Sequence, residues 1–190
     1  MQTHPMQTAP RTTTYDAVAR LLHWSIALLW TGIFAIGILA VYWRDALNPH
    51  HGLTIAHKAL ASAMLALIAF RVVWRLTHRP PPMATTMSLL MQKAAHAGHV
   101  ALYAIALVSL PLSGWMWSSV ADKPIMVLWL VKLPSLVAPA PAYYDVAKWV
   151  HVGIAWTAGM LVVGHVLMAL KHHFIDRDDT LRSMLPGRTA

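Results

Sequence analysis

The chain has no cysteine among its 190 residues. That absence excludes disulfides, cysteine-ligated iron–sulfur clusters, thiolate ligation of haem and covalent haem attachment through C-x-x-C-H. Charge is scarce as well, with 12% of residues charged and only seven of them acidic. The scarcity is concentrated in stretches. Leu21 to Trp43 runs 23 residues without a charge, Ala94 to Ala121 runs 28 and Trp149 to Leu170 runs 22. A helix needs roughly 20 apolar residues to cross the hydrocarbon of a bilayer, and each stretch is long enough. A fourth, Leu53 to Leu76, carries Lys58, Arg71 and Arg75 near its ends, where long basic side chains reach the interface. Met1 to Thr14 is polar and lacks the apolar core of a cleavable signal, so the first helix is expected to direct insertion itself.

What is present fits those gaps. An apolar fraction of 57% and a positive mean hydropathy predict an all-α membrane protein, a four-transmembrane-helix bundle in direct contact with the lipid bilayer. The expected organisation is a mobile N-terminal segment over 1–14, the transmembrane domain over 15–176 and a tail over 177–190. The N-terminus, the second connection and the C-terminus together hold ten basic residues. The opposite side holds five: Arg44, Lys58, Lys123, Lys132 and Lys148. The positive-inside rule then puts both termini in the cytoplasm. The net charge of +8 reads as membrane topology, and no nucleic-acid partner is expected.

The first connection contains Asn48-Pro49, a turn signal, and the second contains Pro80-Pro81-Pro82, which favours a stiff extended link. The third, about Asp122 to Lys148, is the longest. Within it Pro124 to Leu133 is apolar but too short to span, so it is expected to lie in the interface, anchored by Trp129, where it would roof the outer end of the bundle. Pro111 is expected to kink the third helix.

Histidine placement carries the chemistry. His151 and His165 are fourteen residues apart in one uncharged stretch. At about 100° per residue that falls about 40° short of four turns, so both imidazoles share one face, about 21 Å apart along the axis. His57, near the outer end of the second helix, matches the depth of His151. His23, near the inner end of the first, matches His165. Two neutral imidazoles on facing helices at one depth are what bis-histidine haem requires, so the four predict two stacked haem b groups with His23, His57, His151 and His165 as axial ligands of the iron. Zinc fits less well, because it wants three or four ligands converging on one point and no cysteine or glutamate is near. Small residues on the fourth helix (Gly153, Ala155, Ala158, Gly159, Gly164) and the first (Gly32, Gly37) leave room for a porphyrin, although close membrane helix pairs use the same residues. His96 and His99 share a face near the inner start of the third helix, and His172 and His173 follow the fourth. Their alternatives are interfacial contact with headgroups or a quinone site, where histidine serves as proton donor.

With these residues placed, the chain resembles the bacterial cytochrome b561 family over about Tyr15 to Pro186. The matching pieces are His23-Trp24, His57, Arg71-x-x-x-Arg75 followed by Pro80-Pro81, and Ala95-His96-x-Gly98-His99. They continue with Asp145-x-x-Lys148-x-x-His151, Gly164-His165, His172-His173 and the tail from Asp179-Thr180-Leu181 to Met184-Leu185-Pro186. The resemblance implies a bacterial inner-membrane oxidoreductase and the same haem pairs: His23 with His165 on the cytoplasmic side and His57 with His151 on the periplasmic side. It is strongest toward members that pass electrons from superoxide to ubiquinone, with quinone near the cytoplasmic end, at His99, His172 and His173. Lys58 directly after a ligand and the N-terminal extension depart from the family pattern. Superoxide is a small anion, so Lys148, Lys58 and Lys132 at the outer end are expected to attract it, unless they are only a solvated rim. Two functions stay open: a superoxide:quinone oxidoreductase, or a cytochrome b subunit carrying electrons between quinone and a separate periplasmic redox protein.

Overall fold

Asp16 starts the first helix by accepting the Ala19 amide at 2.8 Å, which satisfies one of the unpaired N–H groups of a helix N-terminus. The computed structural model describes residues 14–82 and 87–185. Most of the expected N-terminal segment, together with 186–190 of the tail, lies outside them. Helix α1 is Ala17–Tyr42, followed by the short α2, Arg44–Leu47, and by α3, Gly52–Thr77. The third span is composite: α4, Leu89–Ala101, a π-helical segment Leu102–Ser109, and α5, Leu110–Val120. A hairpin of β1, Ile125–Val127, and β2, Val131–Leu133, leads to α6, Tyr144–Lys171. Among the described residues four helices are long and apolar enough to cross a membrane.

The helices run beyond the charge-free stretches. The third starts at Leu89 rather than Ala94 because Ser88 caps it, accepting the Met91 amide at 3.3 Å. The fourth takes in Asp145 and Lys148 in its first turns. Absence of charge marks the part of a helix that lies in hydrocarbon, and the helix continues into the interface.

Packing is inverted relative to a water-soluble bundle. The most apolar windows of the four helices are only 6–17% buried, and residues such as Leu28, Phe70 and Met160 face outward, which is stable only where the solvent is itself apolar. The buried centre consists of Trp30, Ile33, Met64, Ile68, Ala106 and Ala158. Trp30 stacks on Phe34 with ring centroids 5.0 Å apart. A Cβ at Gly159 would lie 2.9 Å from the Phe34 ring, so the glycine permits α6 to approach α1. Gly32, Gly153 and Gly164 have no such neighbour.

At Pro111 the expected disturbance takes the form of a change in helical spacing. The turn before it widens to π spacing, with the Leu110 amide bonded to the Ile105 carbonyl. In that spacing residue 111 would donate to the Ala106 carbonyl, but proline has no N–H. Trp30 supplies the missing donor through its indole nitrogen, 3.3 Å from the Ala106 oxygen.

At the outer end Asn48, 2% exposed, holds the α2–α3 connection. Its side chain bonds the Ala40 carbonyl, the Thr54 hydroxyl and the Leu53 amide. The hairpin turn puts Leu128 and Trp129 at φ 46° and 62°, values that favour glycine or asparagine, and the Leu128 amide reaches the Ala59 carbonyl of α3 at 3.4 Å. The apolar loop segment is therefore a hairpin docked on α3. At the inner end the tail folds back on α1, where the Trp24 indole donates to the Met184 carbonyl at 2.7 Å and the Tyr15 amide donates to that of Ser183.

Candidate functional site: two histidine pairs

The bundle brings His57 of α3 to His151 of α6, with ring centroids 6.4 Å apart, and His23 of α1 to His165 of α6 at 6.2 Å. The pairing expected from depth along the helices is the one present. Metal–nitrogen bonds near 2 Å on opposite sides of one ion separate two imidazole centroids by about 6 Å. Both spacings fit one metal held between two rings.

The outer pair sits on two glycines. A Cβ at Gly37 of α1 would lie 3.0 Å from His57 Cε1, and one at Gly114 of α5 would lie 3.0 Å from His151 Cε1. The ring nitrogens are also tied. His57 Nδ1 is 2.9 Å from the Ile33 carbonyl, which can only accept, so a neutral His57 carries its proton on Nδ1. His151 Nδ1 is 2.9 Å from Ser113 Oγ, which itself lies 2.8 Å from the Leu110 carbonyl. That carbonyl also faces the His151 ring and can only accept, so a neutral His151 is in the same tautomer. Both rings are left with an unprotonated Nε2, the form that binds a metal. Beside His151, at 5.8 Å between centroids, Trp117 has a buried indole N–H without an acceptor among the described residues. Such a donor suits an acidic substituent of a bound group. Paired neutral imidazoles, glycine seats and an unsatisfied donor together fit a haem.

The inner pair is built differently. His23 Nδ1 lies 3.4 Å from the Arg71 guanidinium, at the long limit of hydrogen bonding, so the contact is chiefly the proximity of a cation. Arg71 also donates to the Ala19 carbonyl and lies 5.7 Å from the Tyr103 ring. A third histidine joins: His99 packs 5.4 Å from His165, and its Nδ1 donates to the Ala95 carbonyl at 2.7 Å. His96 is exposed.

His172 and His173 separate. His172 is buried, with Nδ1 2.7 Å from Asp178 and 3.1 Å from Asp176, while Lys171 pairs with Asp176 at 2.6 Å. This is the one group among the described residues with three close ligand-type side chains, held together by the Lys171–Asp176 ion pair and the His172–Asp178 hydrogen bond. His173 has a buried Nδ1 without a partner among the described residues and packs on Phe174. The three lysines lie at the outer end but are unequal. Lys58 donates to the Lys123 carbonyl at 2.8 Å, Lys148 lies 5.0 Å over the Trp149 ring, and Lys132 is exposed on β2.

Ser113 and Gly114 carried no expectation from the sequence, and Arg71, expected to reach the interface, turns to the Ala19 carbonyl and His23 instead. Ser113 and His151 are 38 residues apart, and a serine beside a glycine in an apolar helix is the only local signal.

A profile of the family described as prokaryotic cytochrome b561 matches residues 14–187. The chain is similar to cytochrome b561 homolog 2 of Escherichia coli (strain K12), 36% identical over 171 residues that cover 90% of each chain. It is 34% identical to cytochrome b561 homolog 1 of the same organism over 109 residues, covering 57% of this chain and 58% of that one. Likeness to the probable superoxide oxidase CybB of Yersinia pestis is more distant, 24% over 178 residues, but spans 92% of this chain and 97% of the relative.

Proposed function

We propose, on the premise that this chain belongs to the prokaryotic cytochrome b561 family and is a membrane electron-transfer protein with b-type haem, that it carries electrons from periplasmic superoxide through two haems to ubiquinone at the cytoplasmic side. The observation that carries the reading is the pair of imidazole pairs at two depths on α6, each at the spacing of a two-histidine metal clamp. His57 and His151 hold the outer haem and His23 and His165 the inner one. Bound haem supplies reversible one-electron exchange. The balance is two superoxide anions oxidised to two dioxygen molecules, their two electrons and two cytoplasmic protons converting one quinone to quinol.

The chain's own residues do the rest. Lys148, Lys58 and Lys132 give the outer end a positive field that draws in the anion. His99, beside His165, transfers a proton to the reduced quinone, and His172 and His173 border that end. The ten-to-five basic asymmetry supports cytoplasmic termini in the inner membrane. Support for superoxide as the donor comes from the 24% identical relative whose name states that activity and from the outer lysines.

A second reading, an electron-transfer subunit serving a separate periplasmic redox protein, is favoured by the engagement of Lys58 with a backbone carbonyl and of Lys148 with Trp149, which leaves less free cation for steering. Rapid mixing of the purified two-haem protein with superoxide discriminates. Haem reduction should outpace unaided dismutation, slow as ionic strength rises, because exposed charges are screened over roughly 10 Å at 0.1 M, and slow further in Lys148→Gln. Reduction only after a protein donor is added would replace the first reading by the second.

A further inference from the structure

Each imidazole of the outer pair faces a main-chain carbonyl, Ile33 for His57 and Leu110 for His151, and His151 alone has a side-chain hydroxyl as well. Ile33 offers a main-chain carbonyl that side-chain substitution leaves in place. Ser113 offers a hydroxyl. Its oxygen lies 2.8 Å from the Leu110 carbonyl, which also faces His151, and 2.9 Å from His151 Nδ1; with its hydrogen on that carbonyl it turns a lone pair to the ring. Gly114, the next residue, clears the space that lets the ring come this close. Ser113 and Gly114 thus form one seat, in which one residue supplies the acceptor and the other the room.

We infer that Ser113 is a positioning residue for the outer redox centre: it holds His151 in the Nδ1–H tautomer, aims Nε2 at the iron and lowers the potential of that centre. The inference rests on His151 being an axial ligand, as proposed above. An acceptor on Nδ1–H gives the imidazole partial imidazolate character and makes Nε2 a stronger donor, which favours ferric over ferrous iron. At the inner pair the corresponding nitrogen of His23 faces a guanidinium instead, and a nearby cation in a medium of low dielectric favours the ferrous state. The two contacts thus push the outer centre toward a lower potential and the inner one toward a higher, in the sense that favours inward electron flow.

The test uses the purified two-haem protein and the variants Ser113→Ala, Ser113→Thr and His151→Ala. Haem content, redox titration, low-temperature EPR of the ferric state and transfer of haem to an apoprotein trap are followed. Ser113→Ala should make the outer potential more positive, alter the outer EPR signal and weaken retention of that haem about 10–100-fold, the usual consequence of losing a partner of a metal-bound histidine. The inner signals should stay unchanged, and Ser113→Thr should restore both outer properties. Outer haem lost from the alanine variant and kept by the threonine variant also supports the role. Unchanged outer potential and retention in Ser113→Ala, or equal disturbance of both haems, overturns it. His151→Ala separates the premise: if that variant keeps both haems, the ligand assignment itself has failed.

Discussion

The outer and inner histidine pairs have nearly the same ring spacing, 6.4 and 6.2 Å, yet they are built on opposite plans. The outer rings sit on glycines, with both Nδ1 atoms facing acceptors. The inner pair has no glycine seat among the described residues, faces a cation at His23 and has a third histidine beside it. A locked pair has lost the freedom to rotate before a metal arrives and needs little reorganisation on binding. The inner pair instead keeps a guanidinium and a third imidazole within reach of its rings.

The largest expected effect tests whether the pairs are independent. His57→Ala should remove one of two haems and leave the spectrum of the other, and His165→Ala should do the converse. Reduced-minus-oxidised spectra with quantified haem check this, and loss of both haems from either variant would mean that the two sites form one unit.

Glycine substitutions probe the seats. Gly37→Ala and Gly114→Ala each place a methyl 3.0 Å from an outer imidazole. Overpacking of this kind costs about 1–3 kcal/mol, so outer-haem retention should fall several-fold to about a hundredfold. Gly164→Ala, directly before His165, meets nothing within 4 Å and should leave inner-haem retention unchanged. Equal sensitivity at Gly164 and Gly114, measured by haem transfer to an apoprotein trap, would erase the contrast.

The smallest effect concerns the tail at the inner end. Burial pushes the Asp178 carboxyl up, but hydrogen bonds from the Thr180 hydroxyl and amide and from His172 outweigh it and hold it below the ordinary carboxylate value. A carboxyl whose folded value is lowered stabilises the fold above its unfolded value, and that contribution is lost as pH falls through the folded one. Tail contacts should persist near neutrality and weaken below about pH 4. Asp178→Asn should reproduce the weakening at pH 7, read as reduced hydrogen-exchange protection over 178–185 with haem content unchanged. Unaltered protection would remove Asp178 from the tail's anchorage.

Much of this was legible in one dimension. A rise of 1.5 Å and a turn of about 100° per residue make position along a helix equivalent to depth and face, so the four spans and the meeting of His57 with His151 and of His23 with His165 followed from spacing. Helix limits were less legible. Ser88 and Tyr144 start helices in polar segments where charge marked an end, because water tolerates a charged helical turn that hydrocarbon does not. Pro111 announced a disturbance, but the donor that satisfies the Ala106 carbonyl beside it is Trp30, 76 residues from Ala106 in the chain.

The sequence by itself determined the membrane class, the number of crossings and the depth of each histidine, since all three depend on composition and on spacing within single helices. Only the tertiary structure decided what stands behind each ring. Ile33 behind His57, Ser113 behind His151 and Arg71 behind His23 are separated in the chain by 24, 38 and 48 residues. A hydrogen bond between helices requires both to be rotated and brought within about 3 Å, and no spacing within one helix sets the rotation of another.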